Sequence, residues 1–178
     1  MKKRAILSFV VVIFFLLFTY LVEENSTVKA LESTSDQPKE QIIKSYAEII
    51  YRDLRIDTVN YFFKKYGPKM KGLGAEIVLS ADKYNIPFGL LPAIGACEGG
   101  LGNKIPANSF NTWGWGIYGG KIKFFDSWED AIDKVSAGIS QEYFQKGLDT
   151  PEKMMSKYAP RSSGTWAICV NKYLADFD

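Results

Sequence analysis

The chain has 178 residues, 47% of them apolar and 15% aromatic, with a net charge of +2. That is enough apolar mass for one domain of ordinary size, and too little charge imbalance to argue for nucleic acid. There is no histidine and there are only two cysteines, which excludes Ser-His-Asp and Cys-His nucleophilic sites and the usual zinc sets.

No Gly-rich phosphate motif occurs either, so hydrolytic chemistry would rest on Glu, Asp or Tyr, with no cofactor and no metal. Lys2-Lys3-Arg4 precede an uncharged apolar run, Ala5–Val22. Its length falls between that of a secretory core and that of a spanning helix. Residues 1–22 therefore read as a signal anchor or a cleaved signal peptide, with Val28-Lys29-Ala30 as a cleavage site. The basic flank predicts the N-terminus inside and the rest of the chain outside. The expected location is thus a single-pass cell-membrane protein or a secreted one, with an extracytoplasmic domain. Residues 23–38 are polar and aperiodic, as in a linker.

Residues 39–69 read as a helical spacer or as accessory helices, and 70–178 as the main domain. Ile42, Ile43, Tyr46, Ile49, Ile50 and Leu54 recur at helical spacing. Asp57 can cap a second helix bearing Val59, Phe62, Phe63 and Tyr66, which Gly67-Pro68 ends. A third segment spans Gly74–Tyr84. A fourth, about Phe88–Cys97, is apolar nearly all round and therefore central, with Pro92 implying a kink or a late start. Lys121–Phe125 reads as a strand or the arm of a small β-hairpin. Ser127 with Asp130 resembles a capping box opening a helix to about Lys146, with Gly147 as its stop. Thr150-Pro151-Glu152 opens a short helix to Tyr158, and a last helix covers about Thr165–Ala175. The expected fold is mostly α.

The central segment ends in "ACEGGLGN", followed by "NTWGWGIYGG". A glutamate at the C-terminal end of a buried helix has its pKa raised twice, by burial and by the helix dipole. Such a carboxyl can hold a proton near neutral pH and pass it to a poor alkoxide leaving group, as a glycosidic bond requires. Gly99, Gly100 and Gly102 leave the backbone open to a bulky substrate, and Trp113 and Trp115 offer flat faces for sugar rings. On the same residues, Glu98 also reads as a solvated helix end with the tryptophans in the core. Cys97 and Cys169 could pair if the last helix packs on the Glu98 helix, or stay as buried thiols.

Three stretches, "LLPAIGACEGGLGN", "NSFNTWGWGI" and "KYAP", resemble the exported bacterial cell-wall glucosaminidase domain of the mannosyl-glycoprotein endo-β-N-acetylglucosaminidase-like kind, within the lysozyme-like superfamily. The resemblance covers Leu91–Phe177, about half the chain. It implies a lysozyme-like helical domain over 70–178, preceded by the N-terminal transmembrane or signal helix. It also implies a peptidoglycan glycoside hydrolase with Glu98 as general acid. Asn111, Trp113, Gly114, Trp115 and Gly116 would line the substrate groove, with Tyr118 counted beside them, and Tyr158 would lie by the catalytic centre. Two departures stand out: many relatives carry Ser after the catalytic Glu where this chain has Gly99, and the tyrosine motif is shortened to Tyr158-Ala159-Pro160.

For a second catalytic group the nearest downstream carboxylates are Asp126, Glu129 and Asp130, although acids in a helix's first turn also have a structural role. Assistance from the substrate's own N-acetyl group is the other route. Lytic transglycosylase-like cleavage at the muramyl bond and a non-catalytic glycan-binding wall module are the alternatives in function. The expected partners are peptidoglycan or a related N-acetylglucosamine polymer, and the membrane through the N-terminal helix.

Overall fold

The computed structural model describes residues 39–116 and 121–177. The expected anchor or signal helix, the cleavage site and the whole of the linker lie outside them. No helix among the described residues is long and apolar enough to cross a membrane. The chain divides into two compact units, Met1–Ile50 and Tyr51–Asp178.

In the first unit, residues 39–50 are helical and exposed throughout. The second unit is mostly helical. Its elements are the helical residues 51–66, a 3-10 turn Pro68–Met70, then α2 Gly74–Tyr84, α3 Leu90–Gly99, α4 Trp128–Glu142, a 3-10 turn Phe144–Lys146, α5 Pro151–Tyr158 and α6 Thr165–Leu174. Residues 51–66 carry helical backbone without a break, called α1 here. The cap expected at Asp57 is therefore not made: no boundary falls there, and the Thr58 hydroxyl bonds back to the Leu54 carbonyl at 2.9 Å. Gly67 does end the helix, since a Cβ there would run into Leu101.

Local signals in the sequence account for most of the remaining boundaries. Asn85, in the left-handed region at φ 52°, closes α2. Pro92 is the third residue of α3, where its missing N–H would have had no helical partner, so it marks a late start and no kink. The Ser127 hydroxyl accepts from the Asp130 N–H at 3.1 Å, and the Thr150 hydroxyl accepts from the Lys153 N–H at 3.4 Å, so both expected caps form.

One expectation fails. Apart from an isolated β-bridge at Lys121, no strand forms among the described residues at Lys121–Phe125, so the β-hairpin is not seen there. The backbone groups of this stretch are satisfied differently: the Lys123 carbonyl accepts from the Asn111 side chain at 3.0 Å, and the Phe125 N–H bonds to the Ser109 carbonyl at 3.0 Å. A side chain occupies the place a strand partner would have taken.

The core is built around α3, which packs on α6, while α2 packs on α4 and α5 on α6. Leu90, Leu91, Ala93 and Ile94 are buried, as are Val59, Phe62 and Phe63 from residues 51–66. The second half of the 39–69 segment therefore contributes to this core. Cys97 of α3 and Cys169 of α6 form a disulfide with their Cα atoms 6.0 Å apart, closing a sequence separation of 72.

Two outcomes follow for stability. A Cβ on Gly99 would lie 2.5 Å from the Thr112 hydroxyl and 2.6 Å from its carbonyl oxygen. Gly99→Ala is therefore expected to cost about 1–3 kcal/mol in urea unfolding, as overpacking against backbone does. The double variant Cys97→Ala, Cys169→Ala is expected to lose about 4 kcal/mol by loop-closure entropy, read as a lower unfolding midpoint.

Candidate functional site

Glu98 is the penultimate residue of α3, one step after the disulfide-bonded Cys97. Trp166 is the second residue of α6, three before Cys169. The bridge sets these two helices side by side, and the Trp166 indole N–H donates to Glu98 Oε1 at 2.7 Å. Glu98 is reachable by solvent, yet enough protein surrounds its carboxyl that burial raises its pKa. The Trp166 bond stabilises the charged form and pulls the other way, with the smaller effect. A carboxyl oxygen that accepts from an indole N–H is the poorer carrier of a proton, which makes Oε2 the favoured one when Glu98 is protonated. Oε2 faces Gly114, where a Cβ would lie 3.4 Å from it.

Gly114 is brought there by its neighbours. Residues 111–114 lie against the glycine face of α3: a Cβ on Gly95 would come within 3.0 Å of the Thr112 methyl and 3.3 Å of Trp113 Nε1. The Thr112 hydroxyl donates to the Gly95 carbonyl at 3.1 Å and accepts from the Gly102 N–H at 3.0 Å. The same hydroxyl occupies the space a serine side chain at position 99 would need, which explains how the chain accommodates glycine after its glutamate.

Two residues expected in the groove do other work. Trp113 is fully buried, with its Nε1–H donated to the Leu91 carbonyl at 2.9 Å. Its ring is a core residue and offers no face to a sugar. Asn111 is buried as well. Its side-chain oxygen accepts from the Trp115 N–H at 2.9 Å, and its amide donates to the Trp115 carbonyl at 2.9 Å and the Lys123 carbonyl at 3.0 Å. It clamps the loop and has no donor left for a ligand. Tyr118 lies outside the described residues.

Gly114, Trp115, Gly116 and Tyr158 line a groove of about 660 Å³. Glu98 is not in that lining but borders it, since both Gly114 and Tyr158 are its neighbours. The groove is aromatic along one wall. The Trp115 ring lies 6.3 Å from Tyr143 and 6.2 Å from Tyr158, Tyr143 is 5.8 Å from Tyr158, and Tyr158 stacks on Trp166 at 4.9 Å. Gly138 of α4 seats the Trp115 indole, because a Cβ there would enter the ring. The Tyr158 hydroxyl donates to the Trp113 carbonyl at 2.6 Å. Burial first, then the Glu98 charge, push its pKa well above the usual phenol value. Tyr158 is a neutral phenol with its proton committed, and what it has left to offer is an oxygen lone pair.

The three downstream carboxylates are accounted for as helix-end groups of α4. Asp130 accepts from the Asp126 N–H at 3.2 Å and from Lys134 at 2.8 Å, and Lys134 holds its pKa down. Glu129 is likewise lowered, chiefly by its bond with Ser127. None of Asp126, Glu129 and Asp130 lines the groove. The one carboxylate that does, Glu142, accepts from Lys146 at 2.6 Å and Lys157 at 2.8 Å, which hold its pKa down to about 2. Among the described residues, no cluster of ligating side chains is arranged to hold a metal ion.

Sequence reasoning missed Trp166, and a signal for it existed. Once Cys169 is paired with Cys97, the residue three earlier on the same helix face is placed beside the residue after Cys97.

Replacing Trp166 by Phe removes the donor that lowers the Glu98 pKa and leaves the burial that raises it. The Glu98 titration midpoint, followed by NMR of carbon-labelled glutamate, is expected to move to higher pH in Trp166→Phe; an unchanged or lower midpoint would contradict the assigned bond. Neither the models of known protein families nor the curated proteins match this chain.

Proposed function

We propose that the protein is a glycoside hydrolase of lysozyme-like architecture that cleaves an N-acetylglucosamine-containing polymer, peptidoglycan above all, with Glu98 as general acid. One observation carries this reading: a carboxyl with a raised pKa has one oxygen tied to Trp166 and the other open over Gly114 at the edge of an aromatic groove. An acid proton on Oε2 is aimed where a leaving oxygen would sit, and the half-buried Tyr158 and Trp115 supply apolar ring surface for sugars.

Among the described residues, the groove offers no second carboxylate free to act as nucleophile or base, since Glu142 is tied to two lysines. A two-carboxylate mechanism would need one at a defined separation. The arrangement therefore favours one acid, with the substrate's own N-acetyl oxygen attacking the anomeric carbon. In this reading the Tyr158 oxygen, with its proton given to the Trp113 carbonyl, interacts through a lone pair with the positive charge that develops. The same single acid suits a reaction in which Glu98 first gives a proton and then takes one from the sugar, without water. Product masses separate the two: reducing ends are expected, and anhydro-sugar ends would reassign the reaction as transglycosylation.

Glu98→Gln keeps an oxygen for the Trp166 bond and removes the proton. Clearing of purified cell walls is expected to fall about 10²–10⁴-fold, and unchanged clearing would refute the role. Stability should respond in the opposite sense. A carboxyl whose pKa is raised on folding gives its full stabilisation below the ordinary carboxylate range and loses it as pH rises toward the raised value. The Gln variant is therefore expected to gain stability relative to wild type as pH climbs from about 4 to neutrality, measured as the difference between urea midpoints.

A further inference from the structure

The groove has a cationic wall that the acid does not use. Lys123, Lys157 and Arg161 line it against a single carboxylate, Glu142. Glu142 is already engaged by Lys146 and by Lys157, so Lys157 is neutralised in place. Two cations remain. Lys123 lies over the Phe125 ring at 5.2 Å and touches Asp130 only through its long-range field. Arg161 is exposed and makes no hydrogen bond or ion pair among the described residues.

Neither cation serves the acid. The proton affinity of Glu98 is set by burial and by Trp166, with no contribution from either cation. Arg161 follows Pro160 in the segment between α5 and α6. Its guanidinium is exposed at the groove. A guanidinium presents paired N–H donors that match the two oxygens of a carboxylate. A neutral N-acetylglucosamine oligomer could stack on the aromatic wall but would leave both cations without a counter-charge.

We propose that the cationic lining of the groove forms a carboxylate-binding subsite, in which Arg161 and Lys123 hold an acidic substituent of the strand whose glycosidic bond lies at Glu98. The inference rests on the glycosidase reading above and narrows its substrate class to acid-bearing strands over neutral ones. The carboxylate belongs either to an acidic side group of the sugar itself or to a peptide attached to it, and both present the same pair of oxygens.

Binding by the Glu98→Gln protein tests this without any turnover. Three strands of equal length are titrated calorimetrically: a neutral N-acetylglucosamine oligomer, a strand with free acidic side groups and no peptide, and a peptide-bearing strand. At least one acidic strand is expected to bind more tightly than the neutral one. That preference ratio is expected to fall about tenfold in Arg161→Glu combined with Lys123→Glu, as loss and reversal of exposed ion pairs allow. Arg161→Lys should keep most of it, and high salt should shrink it. Full preference with the peptide-free strand assigns the carboxylate to the sugar, whereas preference only with the peptide-bearing strand assigns it to the peptide. Equal binding of all three strands, or an unchanged ratio after charge reversal, overturns the subsite and leaves the glycosidase reading standing. Absence of binding to any strand overturns both.

Discussion

The geometry around Glu98 depends on how closely the backbone of residues 111–114 approaches α3. Gly95 and Gly99 set that distance, because any side chain at either position would meet Thr112 or Trp113. With the glycines in place, the Thr112 hydroxyl bridges the Gly95 carbonyl and the Gly102 N–H, and the Trp113 indole locks onto the Leu91 carbonyl. Gly114 then falls beside the carboxyl, where a bulkier residue would intrude on the open oxygen. The loop is therefore positioned by buried polar bonds, each of which is costly to leave unmade in a dry interior.

A second axis comes from the opposite direction. α6 carries Trp166 to the other carboxyl oxygen, and Tyr158 from α5 stacks beneath that indole. Two opposing influences meet at Glu98: the surrounding protein resists its ionisation, and the indole N–H favours it, with resistance the larger. The hydrogen bond consequently acts more as an orienting device than as a means of holding charge. It divides the two oxygens into one that is held and one that faces the groove.

Much of this was readable in advance, and the limits are physical. Helix ends that depend on local chemistry were legible: Asn85 in the left-handed region and the Ser127 and Thr150 caps. The helix expected to reach Lys146 stops at Glu142, and Gly147 closes the 3-10 turn that follows it. Glu98 was legible because apolar residues precede it and glycines follow it. The tryptophans were harder. Periodicity and composition do not say which face of a loop is buried, so Trp113 and Asn111 looked like ligand contacts when they are the loop's internal fastenings. The hairpin failed for a related reason, since a strand needs a partner and the Asn111 side chain took the bond at Lys123. Trp166 lies 68 positions from its partner. No local pattern reports such a contact, and only the cysteine pairing hinted at it.

The disulfide joins the residue next to the acid to the helix that bears its hydrogen-bond donor. Oxidation of the two thiols thus belongs to the assembly of the acid as well as to the stability of the fold. A chain still in a reducing compartment would have its carboxyl and its indole on helices free to drift apart. Pairing of the thiols keeps the two groups in register.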